Sequence, residues 1–303
     1  MYNEIIKNQY LNELPTSALK SIYASIFKRT DVMEEQLEKD IFSFDLKDCI
    51  DLLLFLSPKS VSAIKTFKSQ IGKYVDWAIE NRISLESKNY WLIVPVDDDF
   101  IKASFKNRYI KDLDELIELV DIGIASNYDK CVVYLLYMGI MGENCDEIIE
   151  LQRTNVDERS NTITTKRRVY NEIIEPLYDI IKRDEYDIEE KKGRDEESIY
   201  FIKPYNSIRL KGKPINPYYI YRVFIKMNEN IYESTNERRN FVPMTIWRSG
   251  LFNSLYKIEQ AKNSLTNDDY IQVCKIYGKD TSDISVIANL SREYRVYKEV
   301  FWS

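Results

Sequence analysis

Apolar residues recur at three- and four-residue spacing along much of the chain, which is the period of a helix with one buried face. In the first quarter, TSALKSIYASIFKRT suits an amphipathic helix, residues 31–39 suit a short one, and DLKDCIDLLLFL suits another. Ser57 and Pro58 are a favourable N-cap and first residue for a helix that keeps one apolar stripe to about Glu80. The pattern predicts a helical domain over residues 1–85, in which DIFSF forms a turn.

This periodicity fades in residues 81–107. Residues 90–94 are strand-like, and Pro95 and a run of aspartates then interrupt the pattern. A chain of 303 residues is long for a single core, so two domains are expected. We interpret residues 86–108 as the connector between them.

The remaining part, residues 109–303, combines helices with a small β component. Helical patterns occur at residues 113–121, 129–140, 172–184, 217–228, 247–259 and 286–301, with a short helix at DEIIEL. The segment RTNVDERSNTITTKRR is typical of a turn, a strand and a basic strand end, and residues 199–203 are strand-like. Residues 185–197 are predicted to form a charged, mobile loop. The predicted fold class is mainly α with a small β component.

Composition excludes several kinds of chemistry. The chain has no histidine, so it has neither histidine acid–base catalysis nor a histidine-containing zinc site. It has only eight glycines and no glycine-rich phosphate loop. The four cysteines are scattered, mostly in apolar surroundings, which is typical of reduced core residues. Neither a cofactor nor a metal is expected.

The sequence also argues against a membrane protein. The longest apolar run, near residues 131–140, is far too short to span a bilayer. The first segment, MYNEIIKNQYLNEL, is amphipathic and acidic and lacks the layout of a signal peptide. A cytoplasmic protein without membrane contact is therefore expected.

Charge is strongly segregated along the chain, although the net charge is only −6. Residues 57–75, 159–171, 198–228 and 238–258 contain no acid and hold 18 of the 43 basic residues. The other 219 positions carry a local net charge of −24. If the four stretches share a face, that face suits a polyanion. The alternative is chance clustering combined with solvated helix faces.

The helix that begins near Pro58 displays this pattern most clearly. Opposite its apolar stripe, Lys65, Lys73 and small hydroxyl residues share one face, which suits close approach to phosphates; a merely solvated face is the alternative. Taken over all four stretches, the candidate DNA-binding residues are Lys59, Lys65, Thr66, Lys68, Ser69, Lys73, Lys166, Arg167, Arg168, Lys203, Arg209, Lys211, Lys213, Arg222, Lys226, Arg238, Arg239 and Arg248.

Three groups of segments resemble a known family. They are EKDIFSF with SVSAIKTFKSQIGKYVDWAIE, then YLLYMGIMGENCDEIIELQRTNVD, then MTIWRSGLFNSLY. In order and spacing they resemble the phage-type tyrosine recombinases, or integrases, over most of the chain. The resemblance implies a helical, SAM-like core-binding domain followed by a domain with the recombinase catalytic fold.

That family cuts DNA with a tyrosine nucleophile and stabilises the transition state with two arginines, a lysine and histidine or tryptophan partners. Carried over to this chain, the first arginine falls on Met141 or Asn144, and the histidine before the second arginine falls on Thr245. Arg248 matches the second arginine, and Lys166 matches the β-hairpin lysine. The sequence thus keeps only part of the recombinase site.

The family's later histidine or tryptophan has no clear counterpart, and the position of the nucleophile departs from the family pattern. Tyr294 and Tyr297 lie near the C-terminus, but 46 and 49 residues beyond Arg248, which is longer than the family spacing implies. The resemblance therefore leaves Lys166, Arg248 and Tyr297 as vestigial catalytic candidates. A lost transition-state arginine costs about 2–4 kcal/mol, and a lost acid–base group adds roughly a hundredfold or more in rate.

Arg248 needs an anionic partner, because an unpaired buried charge is costly. In one hypothesis it holds a DNA phosphate with help from its neighbours Thr245, Trp247 and Ser249. In the other it forms a structural ion pair with Glu147 or Glu293.

A subgroup with this description is the master repressor of SP-beta-type prophages. The resemblance implies a sequence-specific, non-enzymatic transcriptional repressor of a prophage, acting in lysogeny in the cytoplasm of a bacterial host. The implied partner is double-stranded DNA with operator-like sites. A regulatory protein partner and the oligomeric state stay open, with a monomer in solution as one option.

Two other hypotheses are kept. The chain could be a divergent active recombinase in which Arg153 or Arg168 replaces the missing arginine and Tyr297 attacks. It could also be a protein-interaction scaffold, which would leave the four basic stretches unexplained.

Overall fold

The computed structural model describes residues 1–56, 61–84, 87–183, 193–206 and 211–302. The chain forms two compact units, residues 1–107 and 108–303. Each unit has its own hydrophobic core. Both are mainly helical, and the second also contains a small sheet, so the predicted fold class is confirmed.

The first unit consists of helices joined by short turns. The helices are α1 (Glu4–Glu13), α2 (Ser17–Leu37), α3 (Leu46–Leu56), α4 (Val61–Glu80) and α5 (Asp98–Arg108), with 3₁₀ turns at Ile41–Ser43 and Tyr90–Leu92. Thr16 caps α2 by accepting a hydrogen bond from the Leu19 N–H at 3.2 Å. No glycine or proline interrupts α2, so it is one continuous helix where the pattern predicts two.

The segment predicted as a connector is packed onto the first unit. Trp91, Val94 and Phe100 are buried in its core, and the Trp91 Nε1 donates to the Ile41 carbonyl at 3.3 Å. The strand predicted at residues 90–94 is wrong, because the Asn89 side chain accepts from the Trp91 N–H at 3.0 Å and caps a 3₁₀ turn. Helix α5 is missing from the sequence-based expectation because it buries too few apolar residues to give a period.

A buried ion pair lies inside the first unit. The Lys7 Nζ and the Glu34 Oε2 are 2.5 Å apart, and both side chains are fully buried. Glu34 also accepts from the Thr30 hydroxyl at 2.7 Å and from the Ile41 N–H at 3.1 Å. Burial raises the pKa of the Glu34 carboxyl, and the Lys7 ammonium opposes that rise. The pair joins α1, α2 and the first 3₁₀ turn.

Replacing Lys7 by methionine should destabilise the first unit strongly, because it leaves the Glu34 carboxylate buried without its cation. We expect a loss of about 3–5 kcal/mol in urea unfolding. The loss should shrink as the pH falls. With its pKa raised by burial, folded Glu34 takes up a proton more readily than unfolded Glu34 does.

The matched control is Lys39→Met, since Lys39 is 45% exposed and pairs with Asp48 at 3.1 Å. It should cost no more than about 1 kcal/mol. Equal losses for the two variants would contradict a special role for the buried pair.

The second unit is built from helices and a three-stranded sheet. The helices are α6 (Leu113–Gly123), α7 (Asn127–Tyr137), α8 (Asp146–Ile149), α9 (Glu175–Arg183), α10 (Pro217–Thr235), α11 (Pro243–Lys262), α12 (Asn267–Ile276) and α13 (Ile284–Phe301). The strands β1 (Val156–Asp157), β2 (Thr162–Thr164) and β3 (Val169–Asn171) pair antiparallel in chain order, with Ile163 opposite Tyr170.

All six helical patterns predicted for this part correspond to helices, although the first and last residues of several helices differ from those predicted. Helix α11 begins at Pro243, because Val242 and Thr245 exchange hydrogen bonds of 2.9 Å at its start. Helix α12 has no counterpart among the predicted helices. The strand predicted at residues 199–203 is reduced to one bridge between Tyr200 and Gln152. Most of the charged loop predicted at residues 185–197 lies outside the described residues.

Helix α7 is the centre of the second core. Eight of its eleven residues are buried, and α11 lies against it so closely that an added Cβ at Gly250 would be 1.8 Å from the Tyr137 carbonyl oxygen. The Tyr277 hydroxyl donates to that same oxygen at 2.9 Å. The four cysteines are buried and free, as the sequence predicted. No helix in the described part of the chain is long and apolar enough to cross a membrane.

Candidate nucleic-acid interface

In the first unit, the predicted residues of α4 lie together on one surface. Lys65, Lys68, Ser69 and Lys73 line an open concavity of about 620 Å³ between α4 and the second 3₁₀ turn. Lys68 is held in place, since its Nζ donates to the Val94 carbonyl at 2.7 Å. Lys65, Ser69 and Lys73 are exposed, as is Thr66 on the same helix. Lys59 lies outside the described residues.

This surface follows from the amphipathic pattern of α4. Ile64, Ile71, Tyr74, Val75 and Ala78 are buried in the core, so the lysines between them face outward. Gly72 is also buried, and a Cβ added there would make ordinary contacts of 3.8 Å with the side chains of Asn89, Trp91 and Leu92. The predicted helix, with its polar face, is confirmed from Val61 onward.

In the second unit, α10 has a surface of basic, aromatic and apolar side chains. Arg222 and Lys226 are exposed, and neither has a carboxylate within ion-pair distance among the described residues. Tyr218 is 67% exposed, and Tyr221 and Ile225 are also exposed beside them. The acid-free stretch identified the two cations but not these apolar neighbours. Tyr218, Tyr221 and Ile225 follow one another at three- and four-residue spacing, and this spacing is the sequence signal that could have placed them on one face of the helix.

The three predicted cations of the β2–β3 hairpin are all in ion pairs. The distances to their acids are 2.6 Å from Lys166 to Glu150, 2.5 Å from Arg167 to Asp146 and 2.7 Å from Arg168 to Glu147. The first two pairs are largely exposed, and Glu150 raises the pKa of the Lys166 ammonium by a hydrogen bond. Much of the basic charge expected at this hairpin is therefore neutralised by α8 and the residue that follows it.

The pair of Arg168 and Glu147 is different because it is buried. The Glu147 side chain is 2% exposed and also accepts from the Thr165 hydroxyl at 2.8 Å. The Arg168 Nη1 donates to the Lys275 carbonyl at 3.4 Å, at the end of α12. Gly278, at φ +64°, leaves no room for a side chain beside this guanidinium. Arg168 thus connects the hairpin to α8 and α12.

The other predicted cations of the second unit fall into two groups. Arg239 pairs with Glu237 at 3.1 Å and with Glu115 at 3.5 Å, and Lys211 pairs with Glu197 at 3.4 Å. Those without an ion pair among the described residues are Lys203, Lys213 and Arg238. Arg209 lies outside the described residues.

Arg248 is in a buried ion pair with Glu293. Its Nη1 donates to the Glu293 Oε2 at 2.7 Å, and only 15% of its side chain is exposed. Glu293 is one of the two acids expected as its partner; the other, Glu147, pairs with Arg168. Burial lowers the pKa of the Arg248 guanidinium, but Tyr109 and Glu293 outweigh that effect and raise it.

The polar neighbours of Arg248 are used within the fold. The Thr245 hydroxyl bonds to Val242, the Ser249 hydroxyl donates to the Thr245 carbonyl at 2.8 Å, and the Trp247 Nε1 donates to the Gly139 carbonyl at 3.1 Å. Each of these three groups therefore has a partner within the fold, and the expectation that they help to hold a phosphate stays a prediction.

Neither tyrosine of α13 presents its hydroxyl to solvent. Tyr297 is fully buried and donates to the Ile110 carbonyl at 2.8 Å and to the Lys111 carbonyl. Tyr294 is also buried and donates to Glu259 at 2.6 Å. Burial raises the pKa of both hydroxyls well above the ordinary tyrosine value.

Comparison with known proteins agrees with the domain pair that the resemblance to tyrosine recombinases implied. Residues 1–80 match the family model described as the MrpR N-terminal core-binding domain. Residues 111–298 match the model described as the MrpR C-terminal catalytic domain. A core-binding domain followed by a catalytic domain is the tyrosine-recombinase architecture. Within that class, the chain belongs to the MrpR family.

Among solved structures, the chain is similar to the XerA recombinase, with 13% identity over 98% of this chain and 97% of the other, at a TM-score of 0.42. It is also similar to the Tn1549 transposon integrase in complex with circular intermediate DNA, with 16% identity over 94% and 93%, at a TM-score of 0.39. No curated protein matches the sequence.

The two arginines of the hairpin should differ sharply on substitution. Arg168→Met leaves Glu147 buried without its cation and should lower stability by about 3–5 kcal/mol in thermal or urea unfolding. Arg167→Met breaks an exposed pair at the preceding residue of the same turn and should cost no more than about 1 kcal/mol. A stable Arg168→Met variant that loses DNA affinity would contradict the structural role assigned to Arg168.

Proposed function

We propose that this protein is a sequence-specific, double-stranded DNA-binding repressor of a prophage that acts in lysogeny and has lost recombination chemistry. The observation that carries the proposal is the exposed surface of α10. There Arg222 and Lys226, unpaired among the described residues, lie beside Tyr218, Tyr221 and Ile225.

The chemistry of this surface suits the major groove of DNA. An α-helix fits that groove, where guanidinium groups bind guanine edges or phosphates and apolar groups contact thymine methyls. Exposed tyrosines and an isoleucine cost free energy in water unless a partner covers them. Arg222 and Lys226 supply the cations, and Tyr218, Tyr221 and Ile225 supply the contacts that distinguish one base from another.

The lysine surface of α4 supports the same function in the first unit. Lys65 and Lys73 are exposed on either side of Ser69, which lets a phosphate approach the helix closely. Cations and hydroxyl groups of this kind position a protein on the DNA backbone without selecting a sequence. In this proposal the first unit contributes affinity for the DNA backbone, and α10 contributes the preference for particular base sequences.

Three observations support the proposal that the protein does not cut DNA: the burial of Tyr297, the internal partners of the two alternative arginines, and the lack of histidine. A tyrosine nucleophile must reach a phosphate, but the Tyr297 hydroxyl is buried and donates to main-chain oxygens. The arginines of the alternative hypothesis are bound elsewhere. Arg153 donates to the Ile181 carbonyl at 3.4 Å, and Arg168 pairs with Glu147. Without histidine, the chain also lacks the family's acid–base group.

Binding to duplex DNA should depend steeply on salt. If six to ten phosphates are contacted, the slope of log affinity against log salt should be about −5 to −9. Arg222→Ala and Lys226→Ala should each weaken binding, and each lost phosphate contact should make the slope shallower by about one. Fluorescence anisotropy on duplexes selected from a random-sequence pool gives both quantities.

The matched control is Lys39→Ala, which removes a cation that is paired with Asp48 on the first unit. It should leave the affinity for the selected duplex nearly unchanged. Tyr221→Ala should change the sequences selected from the pool more than it changes the salt slope. A slope near zero for the unsubstituted protein would overturn the proposed function.

The protein should form no covalent adduct on a nicked suicide duplex that traps tyrosine recombinases. Tyr297→Phe should leave DNA affinity per folded molecule intact while lowering stability by about 1–2 kcal/mol, because a buried hydrogen bond is lost. Denaturing gels and thermal unfolding measure the two effects. An adduct that disappears in Tyr297→Phe would favour the divergent active recombinase instead.

A further inference from the structure

Two large apolar side chains are exposed side by side at a turn of the first unit. Leu92 is 63% exposed and Ile93 is 50% exposed, at and just after the end of the 3₁₀ turn Tyr90–Leu92. Residues three apart share one face of such a turn, and Trp91 and Val94 are both buried in the core. Leu92 and Ile93 are therefore directed outward, and together they form an apolar tip.

The apolar tip is held in place by side-chain hydrogen bonds beneath it. The Asn89 side chain accepts from the Trp91 N–H at 3.0 Å and donates to the Gly72 carbonyl at 2.8 Å. On the other side of the tip, the Lys68 Nζ donates to the Val94 carbonyl at 2.7 Å. These bonds fix the main chain before and after the tip, so a partner does not have to order it on binding.

Basic side chains lie next to the apolar tip. Leu92 lines the open concavity of α4 together with Lys65 and Lys73, whose side chains are exposed. Asp76 is the one acid among the described residues that line this concavity, and it accepts from the Asn89 side chain at 2.7 Å. A partner that covers the tip therefore has to offer negative charge next to an apolar surface.

Duplex DNA offers this combination, because its phosphates lie on both sides of the stacked base pairs. Leucine and isoleucine side chains can enter between two base pairs from the minor groove, where they partly unstack the bases and bend the duplex. We propose that Leu92 and Ile93 form a wedge of this kind, with Lys65 and Lys73 on the phosphates beside the opened step. The wedge rests on the proposed DNA-binding function and adds to it a distortion of the bound DNA.

The wedge selects a sequence without reading the edges of the bases. TA and CA/TG steps are easily unstacked, whereas A-tracts are stiff. The duplexes that the protein selects should therefore carry a flexible step at one defined position. Phosphate contacts carry no sequence information, so the apolar tip is the part of this surface that supplies it.

Bending is measured by energy transfer between dyes at the two ends of a duplex selected from the random-sequence pool. We expect the full chain to bring the dyes closer, and the double variant Leu92→Ala, Ile93→Ala to bind without this change. The salt slope of the double variant should stay the same, because no cation is removed. Lys73→Ala should do the opposite, keeping the bend and making the slope shallower by about one.

Two further variants test whether the effect comes from the apolar tip itself. Leu92→Met keeps an apolar side chain of similar size and should keep the bend. Ile5→Ala removes an isoleucine that is 83% exposed on α1 and should change neither the bend nor the affinity. Because Leu92, Ile93 and Ile5 are all exposed, the unfolding midpoint of each variant should stay near that of the unsubstituted protein.

The preference for a flexible step gives a second measurement. Each TA or CA/TG step of the selected duplex is replaced in turn by a stiff A-tract step. At one position this should lower the affinity of the unsubstituted protein about fivefold or more, which is within the usual cost of one unfavourable base pair. The double variant should bind this duplex and the selected duplex equally well.

The outcomes separate the wedge from the proposed function. Binding without bending, or a bend that survives in the double variant, would overturn the wedge and leave the proposed function standing. A protein that binds no duplex would overturn both. If the free protein is a dimer that the double variant converts into a monomer, the apolar tip is an interface between copies of the chain and the wedge is overturned.

Discussion

The close contact between α7 and α11 determines the geometry of the second unit. Gly250 lies against the Tyr137 carbonyl, where a Cβ would overlap the oxygen at 1.8 Å. With α11 fixed there, Trp247 donates to Gly139 and the Ser249 hydroxyl accepts from the Ile110 N–H at 3.0 Å. Arg248, between these two anchors, pairs with Glu293 at 2.7 Å. A glycine with no functional group thus helps to position this buried ion pair.

Pairing decides which basic residues remain available for a polyanion. The hairpin cations Lys166, Arg167 and Arg168 each face an acid in the segment from Asp146 to Glu150, so the tip adds little positive charge. Lys73 on α4 and Arg222 on α10 have no such partner among the described residues. Any electrostatic attraction to a polyanion therefore depends on the helix surfaces of both units more than on the hairpin.

The tyrosine-recombinase architecture is present, and several polar side chains of the second unit are bonded within the fold. Tyr297 binds the main chain at Ile110, Trp247 binds it at Gly139, and Arg168 holds Glu147. Such bonding is physically reasonable, because a buried polar group is stable only with a partner. In this structure these polar groups are satisfied by internal partners, and the Tyr297 hydroxyl is buried.

The sequence by itself determined the helical class, the family resemblance and the amphipathic face of α4, because period and residue order are local properties of the chain. The absence of nearby acids in the sequence also identified Arg222 and Lys226 as candidate DNA-binding residues. Only the tertiary structure decided that Lys7 and Glu34 meet in a core, that Asp146, Glu147 and Glu150 neutralise the hairpin, and that Arg248 pairs with Glu293 instead of Glu147. These contacts join residues far apart in sequence, and charge pairing depends on distances in space that no local pattern encodes.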